Sequence, residues 1–193
     1  MRGDRALTRM VSSYQFDSVI DIGSGKGEQA AFLRSHHKHV VTVDLNAEAD
    51  IQRNFMQLTV SQSFDAVWCC HVLEHQLNVN AFLVKLKDSI KEGGVFAITV
   101  PPAKHAIVGG HLTLWNAGLL LYNLIMAGFD CSETEGGEYG YNISVIGRKK
   151  SILLPPIRHD TGDIEALAPY FPKGWDVKEG FDGDISCWGG FIA

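Results

Sequence analysis

A glycine-rich turn directly after a short apolar segment constrains the fold of this chain more than any other feature. Residues 18–22 are predicted to form a buried strand, Gly23, Gly25 and Gly27 follow at once, and residues 28–34 favour a helix. Glycine lets the backbone turn tightly and lets a ligand approach the main chain. The free N–H groups that open a helix face whatever is bound there. The pattern therefore predicts a strand, a ligand-binding turn and a helix.

The spacing of these glycines and a nearby acid indicate which ligands the turn suits. The spacing is G-x-G-x-G, not the G-x-G-x-x-G that is typical of dinucleotide sites. Asp21 lies inside the end of the predicted strand, where a fixed negative charge disfavours a phosphate group. A cationic or polyhydroxyl ligand fits better. A nucleotide-binding oxidoreductase on the same sheet is the less favoured alternative.

A second strand is predicted over residues 39–43, and it ends at Asp44. In doubly wound sheets an acidic residue at this place, roughly 20 residues after the glycines, accepts hydrogen bonds from ribose hydroxyls. The alternative for Asp44 is a helix cap or a solvated strand end. Beside the glycine turn, the ribose role is the favoured interpretation.

Two stretches of the chain resemble motifs of the class I S-adenosylmethionine-dependent methyltransferases, and the likeness is to the type 11/12 group. Residues 19–27 are similar to the first motif of that family, hydrophobic-acidic-x-G-x-G-x-G, which wraps the amino acid end of the cofactor. Phe-Asp-Ala-Val at 64–67, followed by His-Val-Leu-Glu-His at 71–75, resembles the fourth motif. That motif forms the floor of the pocket between cofactor and methyl acceptor. The resemblance spans residues 18–150.

The resemblance implies an α/β fold, a Rossmann-like doubly wound sheet that is mostly parallel with a C-terminal antiparallel strand in a three-layer α/β/α arrangement. A strand is predicted over 64–70, and a helix over 79–91 that Asn78 can cap and that Gly93 and Gly94 end. A strand over 95–100, an apolar helix over 115–127 with Asn116 as its cap, and a closing hairpin with strands over 129–134 and 141–147 follow. Only residues 45–63 lie between the second and fourth strands, so the helix and strand after the second strand are predicted to be shortened. Residues 1–150 are predicted to be the methyltransferase domain. Residues 151–193, with clustered prolines and scattered aromatics, are predicted to be a C-terminal appendage packed on it.

The resemblance also implies S-adenosylmethionine as the cofactor. By position, Asn54 and Phe55 are nearest to the residues that contact the adenine in relatives, with Asp50 and Ile51 as the second choice. The residues expected to bind the cofactor are Asp21, Gly23, Ser24, Gly25, Gly27, Asp44, Leu45, Asn54, Phe55 and His71.

Histidines follow the predicted fourth and fifth strands, in loops where α/β folds place acceptor sites. A histidine near its ordinary pKa suits a general base that removes a proton from the methyl acceptor. His75 and His111 are the preferred catalytic candidates, and His105 is the third. A structural or pocket-lining role for each of them is the alternative.

A metal site is the alternative interpretation of the same histidines. If residues 71–75 were helical, His71, Glu74 and His75 would share one face, and His105 or His111 could complete a set of ligands. The same string also resembles the ordinary fourth motif of metal-independent relatives, in which the glutamate is structural. We therefore predict no metal.

The predicted activity is methyl transfer from S-adenosylmethionine to a small-molecule or carbohydrate acceptor, at oxygen. Residues 110–115 before an apolar helix resemble methyltransferases of glycan assembly, which makes a sugar the first expected acceptor. The alternative is a non-catalytic S-adenosylmethionine-binding module or pseudoenzyme partner, because the segment after Asp44 is shortened. With 17 basic and 22 acidic residues and a net charge of −5, the chain is not expected to bind nucleic acid.

Cysteine usage and hydropathy indicate a cytoplasmic protein. Cys69 and Cys70 are adjacent in an apolar strand, so buried reduced thiols are expected for Cys69, Cys70, Cys131 and Cys187 in preference to disulfides. The N-terminus lacks the apolar core of a signal peptide. Residues 112–129 are apolar but interrupted by Asn and Gly, which favours a buried helix over a membrane span. A homodimer is one of the expected assemblies.

Overall fold

The computed structural model describes residues 1–59 and 63–191 and places eight strands in one sheet. The strands are β1 (Ser18–Ile22), β2 (His39–Asp44), β3 (Ile51–Gln52), β4 (Phe64–Cys70), β5 (Ile90–Val100), β6 (Glu135–Tyr139), β7 (Asn142–Arg148) and β8 (Cys187–Trp188). Their order in the sheet is β3-β2-β1-β4-β5-β7-β6-β8. β3, β2, β1, β4 and β5 pair with one another in parallel. β7 pairs antiparallel with β5, and β6 and β8 extend the sheet with further antiparallel pairs. This is the predicted Rossmann-like sheet with an antiparallel end.

Helices cover both faces of the sheet and make three layers. They are α1 (Asp4–Ser13), α2 (Glu28–Ser35), α3 (Val79–Asp88), α4 (Ala117–Met126) and α5 (Asp163–Leu167). Alternate residues of each strand face opposite layers. In β4, Trp68 packs with α1 and α2 in one core cluster, and Val67 packs with α3 and α4 in the other. The parallel pairing of β1 with β2 and with β4 places the carboxyl ends of these three strands side by side.

The region between β2 and β4 is shortened, as the sequence predicts. β3 has two residues and is followed by a single 3₁₀ turn, Phe55–Gln57, in place of a full helix. Asp50 connects this segment to β2 by hydrogen bonds, because its Oδ2 accepts from the N–H and the hydroxyl of Thr42. Residues 60–62 of the predicted segment lie outside the described residues.

The helix predicted over 79–91 ends earlier, and the strand predicted over 95–100 begins earlier. Asn78 caps α3 through Ala81 N–H, as expected, but the helix stops at Asp88 and β5 starts at Ile90. The two glycines that were expected to end the helix lie within β5. A Cβ on Gly94 would lie 2.8 Å from the carbonyl oxygen of Asp65, so glycine here permits a close approach to β4.

The closing hairpin is also displaced from its predicted place. Strands were expected over 129–134 and 141–147, whereas β6 spans Glu135–Tyr139 and β7 spans Asn142–Arg148. The error lies at Gly136 and Gly137, which resemble turn residues in the sequence. A Cβ on Gly136 would lie 2.4 Å from the Trp188 ring, and one on Gly137 would lie 2.8 Å from the Phe191 ring. These glycines make room on a strand for the aromatics of the C-terminal segment.

Residues 151–191 contribute both to the sheet and to the core. β8 pairs with β6 at the sheet edge. Leu167, Phe171 and Trp188 belong to the same core cluster as α3 and α4, and Gly118 N–H in α4 donates to Gly183 O over 2.8 Å. The predicted C-terminal appendage therefore contains an edge strand of the sheet and part of the core that it shares with residues 1–150.

The four cysteines differ in their exposure to solvent. Cys69 and Cys131 are buried, Cys70 is half-buried, Cys187 is exposed, and each is a free thiol. Within residues 1–59 and 63–191, none of the helices combines the length and apolar character needed to cross a membrane.

Candidate active site

A cavity of about 620 Å³ lies at the carboxyl ends of β1, β2 and β4. This volume is within the range of small-molecule sites, and the place is the point where the strand order of a doubly wound sheet reverses. Seven of the predicted site residues line the cavity: Gly23, Asp44, Leu45, Asn54, Phe55, His71 and His75. The sequence analysis missed several other lining residues, including Arg53, Met56 and Val72.

The glycine turn after β1 has a backbone that only glycine adopts readily. Gly23, Gly25 and Gly27 have φ values of 76°, 53° and 77°. A Cβ on Gly23 would lie 2.2 Å from Cγ2 of Val72, whereas a Cβ on Gly25 or Gly27 would have no atom of the described chain within 4 Å apart from those of the turn residues on either side. The first glycine thus permits tight packing, and the other two leave open space beside the turn.

Asp44 fastens this turn to the end of β2. Its Oδ2 accepts a hydrogen bond from Gly25 N–H at 2.9 Å, and its Oδ1 accepts from the N–H groups of Asn46 and Ala47, each at 2.8 Å. Burial alone would raise the pKa of Asp44, but the N–H groups of Ala47, Asn46 and Gly25 outweigh it and hold this pKa below its usual range. Asp44 is therefore ionised at neutral pH.

Two buried polar groups lie at the base of the turn. Asp21 is 1% exposed and Ser24 is 3% exposed. Asp21 Oδ2 and Ser24 Oγ have no hydrogen-bond partner among the described residues. Burial raises the pKa of Asp21 to about 7. Buried polar groups without a hydrogen-bond partner are rare in folded proteins, and a bound ligand that pairs with them is one explanation.

The segment expected to contact adenine reaches the cavity at Asn54 and Phe55. Asn54 Oδ1 accepts a hydrogen bond from Met56 N–H at 2.9 Å and so caps the 3₁₀ turn. Phe55 is buried, with its ring centroid 5.4 Å from that of Phe82. The second-choice residues do not line the cavity: Asp50 is bonded to Thr42, as described, and Ile51 pairs with β2.

His71 is held in a left-handed conformation by groups that are distant in sequence. Its φ is 57°, and its backbone N–H donates to Thr99 O at 2.8 Å. Its Nε2 lies 3.0 Å from Asn142 Oδ1, and because Gly3 N–H also donates to that oxygen, Nε2 is the donor. Arg2 Nη1 lies 3.3 Å from His71 Nδ1. No local sequence signal predicts these partners, since they depend on the tertiary fold.

Glu74, His75 and His111 come together beside His71. Residues Leu73–His75 form a 3₁₀ turn and not the α-helix on which the metal alternative depended. Glu74 is 0% exposed, and its Oε1 lies 3.2 Å from His71 Nδ1 and 3.8 Å from His75 Nε2. Neither carboxylate oxygen has a hydrogen-bond partner within the described parts of the chain. The His75 and His111 ring centroids are 5.1 Å apart.

The loop between β5 and α4 forms a second cavity of about 250 Å³. His105, His111 and Tyr141 are among its lining residues, and Lys104 Nζ lies 4.1 Å from the centroid of the Tyr141 ring. Hence His75 lines the first cavity, His105 and His111 line the second, and the two cavities are adjacent where the His75 and His111 rings pack together.

Comparisons with known proteins agree with this geometry. A family model described as a methyltransferase domain matches residues 4–128. The ubiquinone biosynthesis O-methyltransferase of Rickettsia typhi is 31% identical over 109 residues, which cover 48% of this chain and 44% of that protein. The chain thus spans less than half the length of this curated relative.

Two solved structures illustrate the likeness in fold. The 1,6-didemethyltoxoflavin-N1-methyltransferase of Burkholderia thailandensis, solved with S-adenosylhomocysteine, has a TM-score of 0.64 at 18% identity over 78% of each chain. The sugar N-methyltransferase KedS8 from Streptoalloteichus sp ATCC 53650 has a TM-score of 0.59 at 17% identity, covering 76% of this chain and 85% of that one. The sheet, its glycine turn and the match over residues 4–128 lead to one conclusion: the chain belongs to the S-adenosylmethionine-dependent methyltransferases of class I, whose methyl donor is S-adenosylmethionine.

Proposed function

We propose that this chain transfers a methyl group from S-adenosylmethionine to an oxygen of a small-molecule acceptor, with a carbohydrate hydroxyl as the first class to test. The observation that carries the proposal is the meeting of two cavities at His75 and His111. A cofactor in the first cavity and an acceptor in the second would face each other across this pair.

The groups around the glycine turn fit the proposed cofactor. Asp21 and Ser24 are buried polar groups without protein partners in the described chain, and the amino acid end of S-adenosylmethionine carries an ammonium that a carboxylate can receive. Asp44 is ionised and lines the cavity, as a ribose-binding acid does. Asn54 and Phe55 complete the proposed contacts, at the adenine.

Methyl transfer from a sulfonium is an in-line displacement at carbon, and the protein mainly has to align three atoms. Such alignment can lower the barrier by about 7–11 kcal/mol. A hydroxyl acceptor must also lose its proton, and assistance with that step contributes about 10²–10⁴-fold. His75 Nδ1 lies 2.7 Å from Gly110 O, so Nδ1 carries the proton and Nε2 keeps its lone pair. Nε2 lies 3.8 Å from Glu74 Oε1, and His75 itself lines the first cavity.

The names of two similar proteins support a small-molecule acceptor. One is an O-methyltransferase of ubiquinone biosynthesis and one is a sugar N-methyltransferase. Both accept small molecules as named, and they differ in the atom that is methylated. The choice of oxygen rests on the His75 and His111 pair, because a neutral hydroxyl is a poor nucleophile until its proton is removed, whereas a neutral amine can attack the methyl group directly.

The experiment is transfer of radiolabelled methyl from S-adenosylmethionine to separate panels of glycans, phenols and amines. We expect labelled product with a hydroxyl acceptor. His75→Ala and His111→Ala should each lower kcat by about 10²–10⁴-fold. Because His111 lines the second cavity and not the first, His111→Ala should also leave S-adenosylhomocysteine affinity unchanged. His105→Ala, from the same loop, is the matched control and should have a smaller effect. Cofactor binding without transfer to any acceptor would favour the non-catalytic binding module instead.

A further inference from the structure

We infer that Glu74, His75 and His111 bind one divalent first-row transition ion, and that this ion coordinates the acceptor oxygen. The inference deepens the proposed methyl transfer and rests on it for the role of the ion. The binding of the ion itself rests only on the geometry of these three side chains. It revises the sequence-based expectation that no metal is present.

The three residues are close enough to share an ion. Each offers one ligand atom, and these atoms all lie within 4.8 Å of one another. Zinc bonds to histidine nitrogen and carboxylate oxygen are about 2.0–2.2 Å long, so the ligand atoms of one ion lie about 3–3.5 Å apart. Small side-chain rotations would therefore bring all three atoms into the first coordination shell.

Glu74 provides an observation independent of the spacing. Its side chain is fully buried, and both carboxylate oxygens lack a hydrogen-bond partner within residues 1–59 and 63–191. Burying an ionised carboxylate is costly unless it is paired or coordinates a metal. The nearby His71 Nδ1 is 3.2 Å from Oε1, but that contact lacks the geometry of a hydrogen bond. A cation between Glu74 and His75 would satisfy the carboxylate.

His75 has the arrangement of a metal-binding histidine. Its Nδ1–H donates to Gly110 O at 2.7 Å, which fixes the tautomer and leaves the Nε2 lone pair directed toward Glu74 at 3.8 Å. Histidine ligands of metals almost always donate their other ring N–H to such a partner, because this fixes the ring and raises its basicity.

His111 completes the set from the acceptor loop. Leu112 N–H donates to Glu74 O at 2.7 Å, so the backbone holds His111 against the same turn that carries Glu74 and His75. His111 also lines the second cavity. An ion on these three ligands would therefore keep its remaining coordination positions toward the acceptor, as catalytic sites do.

The ligand set selects the class of ion. Two imidazoles and one carboxylate suit zinc, iron, cobalt or nickel, whereas magnesium and calcium prefer oxygen ligands. As ligands of the ion, His75 and His111 would assist the loss of the acceptor proton through the metal and would not accept that proton themselves. Bound to such an ion, the acceptor hydroxyl would lose its proton to solvent at a lower pH. The oxygen would then form its bond to the methyl carbon as the sulfur–carbon bond breaks, leaving S-adenosylhomocysteine as a neutral thioether.

Titration of the chelator-treated full chain with Co²⁺ alone tests the inference without any activity assay. We expect uptake of one ion per chain with the visible absorption of a four- or five-coordinate site, and competition by Zn²⁺ but not by Mg²⁺. His111→Ala should weaken Co²⁺ affinity at least about 10-fold. His105→Ala and His37→Ala, two exposed histidines outside the cluster, are the controls and should bind Co²⁺ as the parent does.

A second variant and a second readout keep the result interpretable. Glu74→Gln should also lose Co²⁺ affinity, and the thermal shift with S-adenosylhomocysteine reports whether each variant is folded with its cofactor site intact. Unchanged Co²⁺ affinity in a folded His111→Ala protein, or no ion uptake by the parent, would overturn the inference. Methyl transfer by a metal-free protein would overturn the role of the ion alone, and the proposed function would stand. Ion uptake without any methyl transfer would instead contradict the proposed function.

Discussion

Gly25 donates its backbone N–H to Asp44 Oδ2 over 2.9 Å, so the acid that ends β2 holds the glycine turn that follows β1. One carboxylate thus shapes the turn and, in the proposed site, receives the ribose. This dual role makes Asp44 a sensitive position for both stability and cofactor binding.

Replacement of Asp44 by alanine should lower both thermal stability and cofactor affinity. The variant leaves three backbone N–H groups without their acceptor, and loss of such a charged acceptor has an effect of about 1–3 kcal/mol. Glu48→Ala, in the same loop and exposed, is the control and should melt and bind as the parent does. Equal S-adenosylhomocysteine affinity in parent and Asp44→Ala would contradict the ribose role.

The stabilising effect of Asp44 should depend on pH in one direction. Because the folded pKa of Asp44 lies below its usual range, the folded state favours the ionised carboxylate. The stabilisation is therefore present at neutral pH and is lost as pH falls below about 4. Melting curves of parent and Asp44→Ala should converge toward acid pH. A constant difference between the two proteins from pH 7 to acid would contradict this linkage.

Asp21 should make the ligand-free protein less stable as pH rises, which is the opposite of the pH dependence expected for Asp44. Burial raises its folded pKa to about 7, so the folded state holds this proton more tightly than the unfolded chain, whose carboxyl has a pKa of about 3.9. The free energy of unfolding should fall as pH rises from about 4 to about 7. Asp21→Asn should remove this fall and be more stable than the parent at pH 8, by up to about 4 kcal/mol.

The same carboxyl should make cofactor binding depend on pH. A cationic ligand favours ionised Asp21, so S-adenosylmethionine should bind more tightly as pH rises from about 6 to about 8. Calorimetry at several pH values measures this slope, and in Asp21→Asn the slope should be flat. An equal slope in both proteins would show that another group is responsible.

The glycines of the turn should differ in their tolerance of a side chain. Gly23→Ala places a Cβ 2.2 Å from Val72 Cγ2 at a positive φ, so strain and overpacking together should lower the free energy of unfolding by about 2–5 kcal/mol. Gly27→Ala has a similar φ and open space, and should lose only about 1–2 kcal/mol. Urea melts of the two variants measure the difference. Equal losses would contradict the packing of Val72 on the turn.

The C-terminal segment should be needed for the stability of the sheet domain. Trp188 is 7% exposed and packs over Gly136, so Trp188→Ala should cost about 3–5 kcal/mol. Leu153→Ala, in the same segment and 93% exposed, should cost less than about 0.5 kcal/mol. A chain ending at residue 150 that melts cooperatively at the parent temperature would contradict an integral role for the segment.

The parts of the fold that follow from local pattern were predictable. β1 and β4 have their predicted bounds, because both are apolar runs buried on two faces. Asn78 and Asn116 were recognisable as helix caps from their own chemistry, and each accepts the expected N–H. By contrast, β6 was misplaced because the need for Gly136 depends on Trp188, which is distant in sequence.

The candidate site also has parts that local sequence patterns predict and parts that they do not. The glycine turn and Asp44 could be located from spacing alone, and the first cavity contains most of the residues expected there. The contact of His75 with His111, and the bonds from Asn142 and Arg2 to His71, depend on how the loops fold. No spacing rule contains that information, so the sequence allowed several combinations of histidines where the structure brings one pair together.

Thermal melting with S-adenosylhomocysteine, S-adenosylmethionine and NAD tests the central claim most directly. At about 100 times its dissociation constant a ligand stabilises the folded state by roughly 2.7 kcal/mol, a shift of several degrees for a chain of this size. We predict such a shift with both sulfur ligands and none with NAD. A shift with NAD, or none with either sulfur ligand, would contradict the assignment of this cavity to S-adenosylmethionine.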